Sequence, residues 1–371
     1  MGQRVVIVGG GYGGVALATA LDDVADVVLV EPKDAFVHSA AALRAVVDPA
    51  WSDRVFLPYD RLLTRGRVVQ DRARLIAPGR VHLTSDEVIE ADHVVLATGT
   101  GYPFPAKFFE SSTDAAQTRL ARLRSDLAAC RRVLVVGAGA VGLELTGELT
   151  SAFGELEVVV VERTDDLLPG DHLPELRDEL RAQLAQRRVR FVFGAPLGSL
   201  PPQDVGVAEP FAVRTLASEL VKADMWFRCY GSRPATDHLD AALQVGMHHD
   251  GTVPVDAHLR LVGQEAVWAI GDVTDVPESK RATAARAHAA VVARNIRDVL
   301  EGHEPTATYA PAPELIVLPL GPTGGASQVA GPDGTRTVLG AQETSRIKGA
   351  DLYSGSMAEL FGLEAPAQPA S

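Results

Sequence analysis

Two valine-rich runs in this chain each end in the same glycine spacing. The first reads Val5-Val6-Ile7-Val8-Gly9-Gly10-Gly11-Tyr12-Gly13-Gly14, and the second reads Val133-Leu134-Val135-Val136-Gly137-Ala138-Gly139-Ala140-Val141-Gly142. A continuous β-branched run predicts a strand buried on both faces. Gly-x-Gly-x-x-Gly followed by an Ala-, Leu- and Val-rich stretch predicts a tight turn into a helix. A further valine-rich run follows each unit and closes in an acid, Glu31 and Glu162. Such units restrict the fold to a parallel α/β sheet, and each unit binds one dinucleotide. Two units in one chain predict a protein that holds two dinucleotides and passes electrons between them.

The remaining composition narrows the class. With 371 residues the chain buries a large core in two or three domains. A net charge of −13 excludes a general nucleic-acid binder, because no basic excess exists to displace counterions from phosphates. It also weakens any reading based on anionic membranes. Cys130 and Cys229 are the sole cysteines. They suit a reducing compartment, give no disulfide framework and leave no Cys-x-x-Cys, so a dithiol relay and a zinc cluster are both excluded. The histidines show no metal-ligand spacing, His248-His249-Asp250 reads as an exposed turn, and no metal site is expected. A strand begins near Arg4 without a signal peptide. Val6 stands where a myristoylation pattern requires Ser or Thr, and no apolar run reaches the length of a membrane span. The expected address is the cytoplasm.

Along the chain, short strands are expected at 81–84 and 88–90, and a buried strand at 92–99 ends in Thr98-Gly99. Residues 101–105 form a candidate linker, and 113–131 a polar helix. After the second unit come a helix at 174–188, a strand at 189–193 and a loop at 194–210. Residues 224–231 repeat the form of 92–99 and end in Gly231. A buried strand from 267 closes in Gly271-Asp272, and an Ala-rich helix spans 279–300. Residues 354–363 read as an amphipathic helix that packs on the core in preference to a membrane, and 365–371 as disordered. The fold class expected is α/β, with two Rossmann-like dinucleotide-binding domains and a small C-terminal domain. Residues 1–108 and 236–303 form the first domain, 109–235 the second and 304–371 the third.

In the first fingerprint Gly9 makes the turn, Gly11 lets backbone approach a pyrophosphate, and Gly14 lets helix and strand pack closely. With Gly10, Tyr12 and Gly13 they place the anion on a helix N-terminus. Glu31 accepts ribose hydroxyls. Gly137, Gly139, Gly142 and Glu162 repeat the scheme. The Glu162 carboxylate repels a 2′-phosphate and favours NADH over NADPH, a choice that Arg163 softens. Asp272, at the C-terminal end of a buried strand, suits a ribityl hydroxyl and equally a helix N-cap. Lys280, at the start of the Ala-rich helix, would stabilise negative charge on a reduced isoalloxazine. By residue type alone, Glu144 is a first-turn acid favoured by the helix dipole and Lys348 a solvated lysine.

Several stretches together carry a family resemblance: residues 5–14, Val30-Glu31-Pro32-Lys33-Asp34-Ala35-Phe36-Val37-His38, Ala41-Ala42-Leu43-Arg44, Val95-Leu96-Ala97-Thr98-Gly99, Pro103-Phe104-Pro105-Ala106-Lys107-Phe108, and residues 136–144, 268–272 and 348–353. On these the chain resembles the two-dinucleotide-binding-domain flavoproteins. More closely it resembles the apoptosis-inducing-factor-like quinone reductases of the ferroptosis suppressor branch, with type II NADH dehydrogenases as wider relatives. The resemblance implies a non-covalent FAD in the N-terminal unit and NADH or NADPH in the second. It implies that Arg44, Asp272 and backbone near Val68 help hold FAD, and that Glu144 and Lys348 lie near the flavin and support quinone reduction. Lys33, Thr98, Gly99 and Gly231 complete the candidate cofactor contacts. The expected activity is that of an FAD-dependent NAD(P)H:quinone oxidoreductase whose partner is a quinone or other small electron acceptor. A ferredoxin- or rubredoxin-type reductase and a slow NADH-responsive redox sensor remain alternatives, the first disfavoured by the acidic balance. The chain lacks the N-terminal lipid of the best-known membrane-bound members and the long C-terminal membrane helices of type II dehydrogenases. Weak peripheral contact with the inner face of a membrane, and a homodimer, stay open.

Overall fold

The valine runs become the central strands of two separate parallel sheets. In the computed structural model, which describes residues 2–331 and 333–365, the first sheet has the order Val267–Ala269, His93–Leu96, Arg4–Val8, Asp26–Val30 and Arg67–Val69. Val5, Val6, Val27, Val28, Val94 and Val95 are fully buried within it. Each contributes roughly 1.5–3 kcal/mol of apolar burial, which explains the absence of polar alternation in these runs. The Gly9–Gly14 turn leads into the helix Tyr12–Leu21, which packs beside the long helix Ala282–Leu300. Gly13 allows that approach, since a Cβ there would sit 3.2 Å from the Ala285 carbonyl oxygen.

The second sheet has the order Val189–Val192, Glu157–Val161, Arg132–Val136 and Met225–Arg228, again all parallel. The chain leaves the first sheet after His93–Leu96 and later re-enters it through Val267–Ala269, which pairs with His93–Leu96. The two crossings meet as a short antiparallel pair, Thr100–Gly101 against Arg233–Pro234.

Several helices are shorter than their sequence patterns suggest. The polar helix spans Thr113–Leu127, its N-cap Ser112 accepting from Ala115 N–H, and the next spans Pro174–Ala185. The Ala-rich helix starts at Ala282, after a short 3₁₀ turn at Gly271–Val273. Pro174 and the acid-rich start of its helix are the usual entry signals, whereas the C-terminal turns hold arginines with no apolar stripe to bury.

The C-terminal segment forms an antiparallel sheet, Ile316–Leu320, Gly324–Ala330 and Arg336–Leu339. Its first strand lies on the second-unit helix Ala140–Ala152. Gly147 makes that possible, because a Cβ there would overlap the backbone of Leu320. A helical turn at Ser345–Gly349 and a helix at Ser354–Leu360 follow. Met357 and Phe361 are buried, Phe361 against the rings of Phe36 and Tyr59. The apolar face of 354–363 thus closes the first unit's core. Of the tail expected to be disordered, residues 366–371 lie outside the described residues. Among the described residues no helix is long and apolar enough to cross a membrane.

Candidate functional site

The two glycine turns are nearly superimposable in their chemistry. Gly9 N–H donates to Val30 O at 2.9 Å, and Gly137 N–H to Val161 O at 2.8 Å. Gly9 and Gly137 sit at φ +111° and +106°, where a side chain is strained. A Cβ on Gly14 would overlap the Gly9 carbonyl oxygen, and one on Gly142 the Gly137 carbonyl oxygen. Gly11 and Gly139 differ from these: a Cβ there meets no atom within 4 Å. Each stands at the N-cap of its helix beside an open cradle lined by unpaired N–H groups.

The acids close each cradle in the same way. Glu31 Oε2 accepts from Gly10 N–H at 2.7 Å and Oε1 from Lys33 N–H at 3.1 Å. Glu162 Oε2 accepts from Ala138 N–H at 2.7 Å and Oε1 from Thr164 N–H at 3.0 Å. Both are buried. Lys33 Nζ lies 3.5 Å from Glu31. Val68 pairs with Leu29, and the neighbouring Val69 O accepts from Glu31 N–H, so this backbone borders the first acid. Tyr59, which the sequence did not single out, donates to Gly10 O at 2.8 Å and walls the turn. These residues fit two dinucleotides: a helix N-terminus for a pyrophosphate, room where Gly11 and Gly139 stand, and a carboxylate fixed against each glycine turn.

Thr98 and Gly99 follow the strand His93–Leu96, with Thr98 Oγ1 donating to Ala235 O and Gly99 at φ +65°. Gly231 ends the corresponding strand of the second sheet at φ +84°. Asp272 Oδ2 accepts from Thr100 Oγ1 at 2.7 Å and lies 3.8 Å from Lys107 Nζ. Lys107 also donates to Thr100 O at 2.6 Å, and burial pulls its pKa down. Lys107 was not singled out, although it stands in the quoted Pro-Phe-Pro-Ala-Lys-Phe stretch. Asp272 makes no N-cap bond, the capping alternative for this residue. The Gly271 N–H instead donates to His288 Nδ1 at 3.0 Å, and His288 Nε2 lies 2.8 Å from Glu278 Oε1. Lys280 Nζ donates to Thr274 O at 2.7 Å and Val276 O at 3.1 Å, so its charge is held on its own turn.

Arg44 lies at the junction of three elements. Its guanidinium meets Glu148 at 2.8 Å, donates to Gly349 O at 2.6 Å and stacks 4.7 Å from the Trp51 ring centre. Arg44 is 3% exposed, and Nε, Nη1 and Nη2 each donate to a protein acceptor. Burial pushes the Glu148 carboxyl up while Arg44 pulls it down. Glu148 is one turn from Glu144 on the helix Ala140–Ala152, and Gly349 follows Lys348. Between them, Lys348 Nζ donates to Glu144 Oε1 at 2.7 Å, with side chains 14% and 15% exposed. Glu144 and Lys348, far apart in sequence, are therefore one ion pair. Glu148, the partner that holds Arg44, has only its i+4 spacing from Glu144 as a sequence signal.

The thiols take no part. Burial pushes Cys130 to about 11 and Cys229 to about 12, so neither forms a thiolate near neutrality. Among the described residues no group of His, Cys, Asp and Glu is placed to hold a metal ion.

A family model described as pyridine nucleotide-disulphide oxidoreductase matches residues 3–291. The chain is 34% identical over 336 residues to Ferroptosis suppressor protein 1 of Taeniopygia guttata, covering 88% of this chain and 89% of that relative. Its fold is similar to the sulfide:quinone oxidoreductase of Aquifex aeolicus, with a TM-score of 0.75, 18% identity, and 98% and 93% of the two chains covered. It is also similar to NDH2 of Plasmodium falciparum, solved in complex with NADH, with a TM-score of 0.70, 12% identity, and 94% and 93% covered.

Proposed function

Because the chain belongs to the pyridine nucleotide-disulphide oxidoreductases and, within them, to the ferroptosis suppressor protein family, and so is an FAD-dependent NAD(P)H oxidoreductase, we propose that its electron acceptor is a quinone. The observation that carries this reading is the Glu144–Lys348 ion pair at 2.7 Å, where the second-unit helix meets the C-terminal segment. A protein that reduced only a disulfide would need a dithiol, and the half-buried Cys130 and buried Cys229 are both held in their protonated forms. One protein of the same fold is a sulfide:quinone oxidoreductase, which agrees with a quinone acceptor.

We assign FAD to residues 1–108 and 236–303 and NAD(P)H to residues 109–235. The Gly11 cradle and Glu31 hold the adenosine diphosphate part of FAD, and Asp272 with Thr100 and Lys107 holds a hydroxylated chain leaving that cradle. The Gly139 cradle and Glu162 hold the nicotinamide dinucleotide, with the acid favouring an unphosphorylated ribose. When bound, FAD supplies the hydride-accepting and electron-donating chemistry. Reducing a quinone to a quinol adds two electrons and two protons, one of which arrives as part of the hydride equivalent. Lys348 holds a proton at Nζ where the acceptor oxygen gains charge, and Glu144 keeps that ammonium oriented and shielded from solvent. Arg44 acts through position: it ties Glu148 and Gly349, the neighbours of the pair, to the first unit.

The test is an acceptor panel with purified holoenzyme and NADH. Turnover with a soluble ubiquinone analogue should exceed turnover with ferredoxin, and Lys348→Ala should lower the quinone rate by about tenfold or more. Equal rates with quinone for the variant and the parent would overturn the assignment of Lys348.

A further inference from the structure

Two successive non-glycine residues, Leu352 and Tyr353, sit in the left-handed region at φ 52° and 62°. Each such residue costs about 1–2 kcal/mol and persists only where surrounding contacts hold it. They end the turn that carries Lys348, and Leu352 N–H closes on Lys348 O at 2.7 Å. The contact from outside that turn is His38, whose Nε2 lies 2.8 Å from Leu352 O. A carbonyl oxygen only accepts, so Nε2 carries the hydrogen and Nδ1 is bare. Nδ1 lies 2.8 Å from Tyr12 Oη, so the Tyr12 hydroxyl donates to it. The same hydroxyl also accepts from Ala40 N–H at 3.2 Å. His38 is 1% exposed, and Phe36 packs against both rings.

Tyr12 is the first residue of the helix whose N-cap is Gly11. The chain Ala40 N–H, Tyr12, His38, Leu352 O therefore runs from the first dinucleotide cradle to the turn that holds Lys348. We propose that His38 is a positioning residue: with Tyr12 it fixes the strained 348–353 turn in the pose that brings the Lys348 ammonium to Glu144. The proposal rests on the role given to Lys348 above. A second tie comes from the same short helix, since Arg44 donates to Gly349 O, so the turn is held at Gly349 and at Leu352, both just after Lys348.

The test uses holoenzyme with three readouts: the ¹⁵N signature of the His38 imidazole, amide exchange over residues 348–354, and the rate at which quinone reoxidises NADH-reduced enzyme. His38→Leu keeps volume and deletes both hydrogen bonds, whereas His38→Gln restores a donor toward Leu352 O. The expected results are a pure Nε2–H tautomer in the parent and, in His38→Leu, faster exchange over 348–354 and reoxidation slowed by about tenfold. His38→Gln should recover most of both. An Nδ1–H tautomer in the parent would overturn the proposal, as would parental exchange and reoxidation in His38→Leu. If Lys348→Ala slows reoxidation while His38→Leu does not, the positioning role alone falls. If Lys348→Ala leaves reoxidation unchanged, the reading of Lys348 falls and the positioning role falls with it.

Discussion

Lys348 donates to Glu144 at 2.7 Å, pairing the C-terminal segment with the opening turns of the second nucleotide-binding helix. Two further contacts flank its ends. Arg44 holds Glu148, one turn along from Glu144, and Gly349, the residue after Lys348. The proposed acceptor chemistry thus depends on a junction of three chain segments, none of which holds the pair alone.

Removing Arg44 leaves the Glu148 carboxylate buried without its partner. Breaking such a pair costs about 3–5 kcal/mol, whereas replacing both members by apolar groups costs far less. Arg44→Met should therefore lower urea-unfolding stability by that amount, and Arg44→Met with Glu148→Leu should recover much of it. The loss should appear equally in protein stripped of FAD, because the guanidinium is engaged by Glu148, Gly349 and the Trp51 ring. A loss confined to FAD-loaded protein would instead make Arg44 a cofactor ligand.

Gly11 and Gly14 should fail in different ways. A methyl group at Gly11 enters open space, so Gly11→Ala should unfold at the parental temperature when FAD is absent and bind FAD at least about tenfold more weakly. A methyl group at Gly14 overlaps the Gly9 carbonyl, so Gly14→Ala should lose stability even without FAD, by roughly 1–3 kcal/mol of overpacking. Thermal melts of both apo variants, followed by FAD titration, separate the two.

Glu162 should decide between nicotinamide cofactors. Its carboxylate is held by Ala138 and Thr164, and in the proposed assignment it meets a 2′-hydroxyl and repels a 2′-phosphate. Glu162→Gln keeps the shape and removes the charge. The ratio of kcat/KM for NADH over NADPH should fall by about tenfold, equivalent to about 1.4 kcal/mol. An unchanged ratio would show that Arg163 or another group sets the preference.

His38 gives a pH signature. Burial lowers it from 6.5 to about 4, with Lys348 lowering it further and Asp351 and the Leu352 carbonyl opposing. Because the folded value lies below the unfolded one, the unfolded chain binds the proton first as pH falls. The contribution is fully present above pH 6.5 and is lost progressively down to about pH 4, by about 3 kcal/mol at most. His38→Gln should flatten the stability profile within that window relative to the parent, as read from urea midpoints between pH 4 and 7.

The cradles were legible because their chemistry is local. Gly9 to Gly14 and Gly137 to Gly142 each lie within one strand–turn–helix unit, and the acids follow at the end of the next strand. The same holds for the α/β class, since uninterrupted valine runs leave little choice but a sheet buried on both faces. The junction was not legible in this way. Arg44 looked like a cofactor contact by family resemblance, and its partner Glu148 stands among ordinary helix residues. Glu144 and Lys348 come together only through the family resemblance, because no spacing rule joins residues that distant in sequence. Helix ends were overrun where arginines followed, as at 186–188, because charge continues a helical composition without supplying a face to bury. Lys280, expected near a flavin from its place at a helix start, donates to the carbonyls of Thr274 and Val276, contacts that no sequence pattern signals.

The most direct measurement is stopped-flow mixing of anaerobically NADH-reduced holoenzyme with a soluble ubiquinone analogue, for the parent and for Lys348→Ala. The expected result is rapid return of the oxidised flavin spectrum in the parent, fast enough to support steady-state turnover, and a reoxidation slowed by about tenfold or more in the variant. Reoxidation of the parent too slow to support turnover, or equal rates in the two proteins, would contradict a quinone reductase built around the Glu144–Lys348 pair.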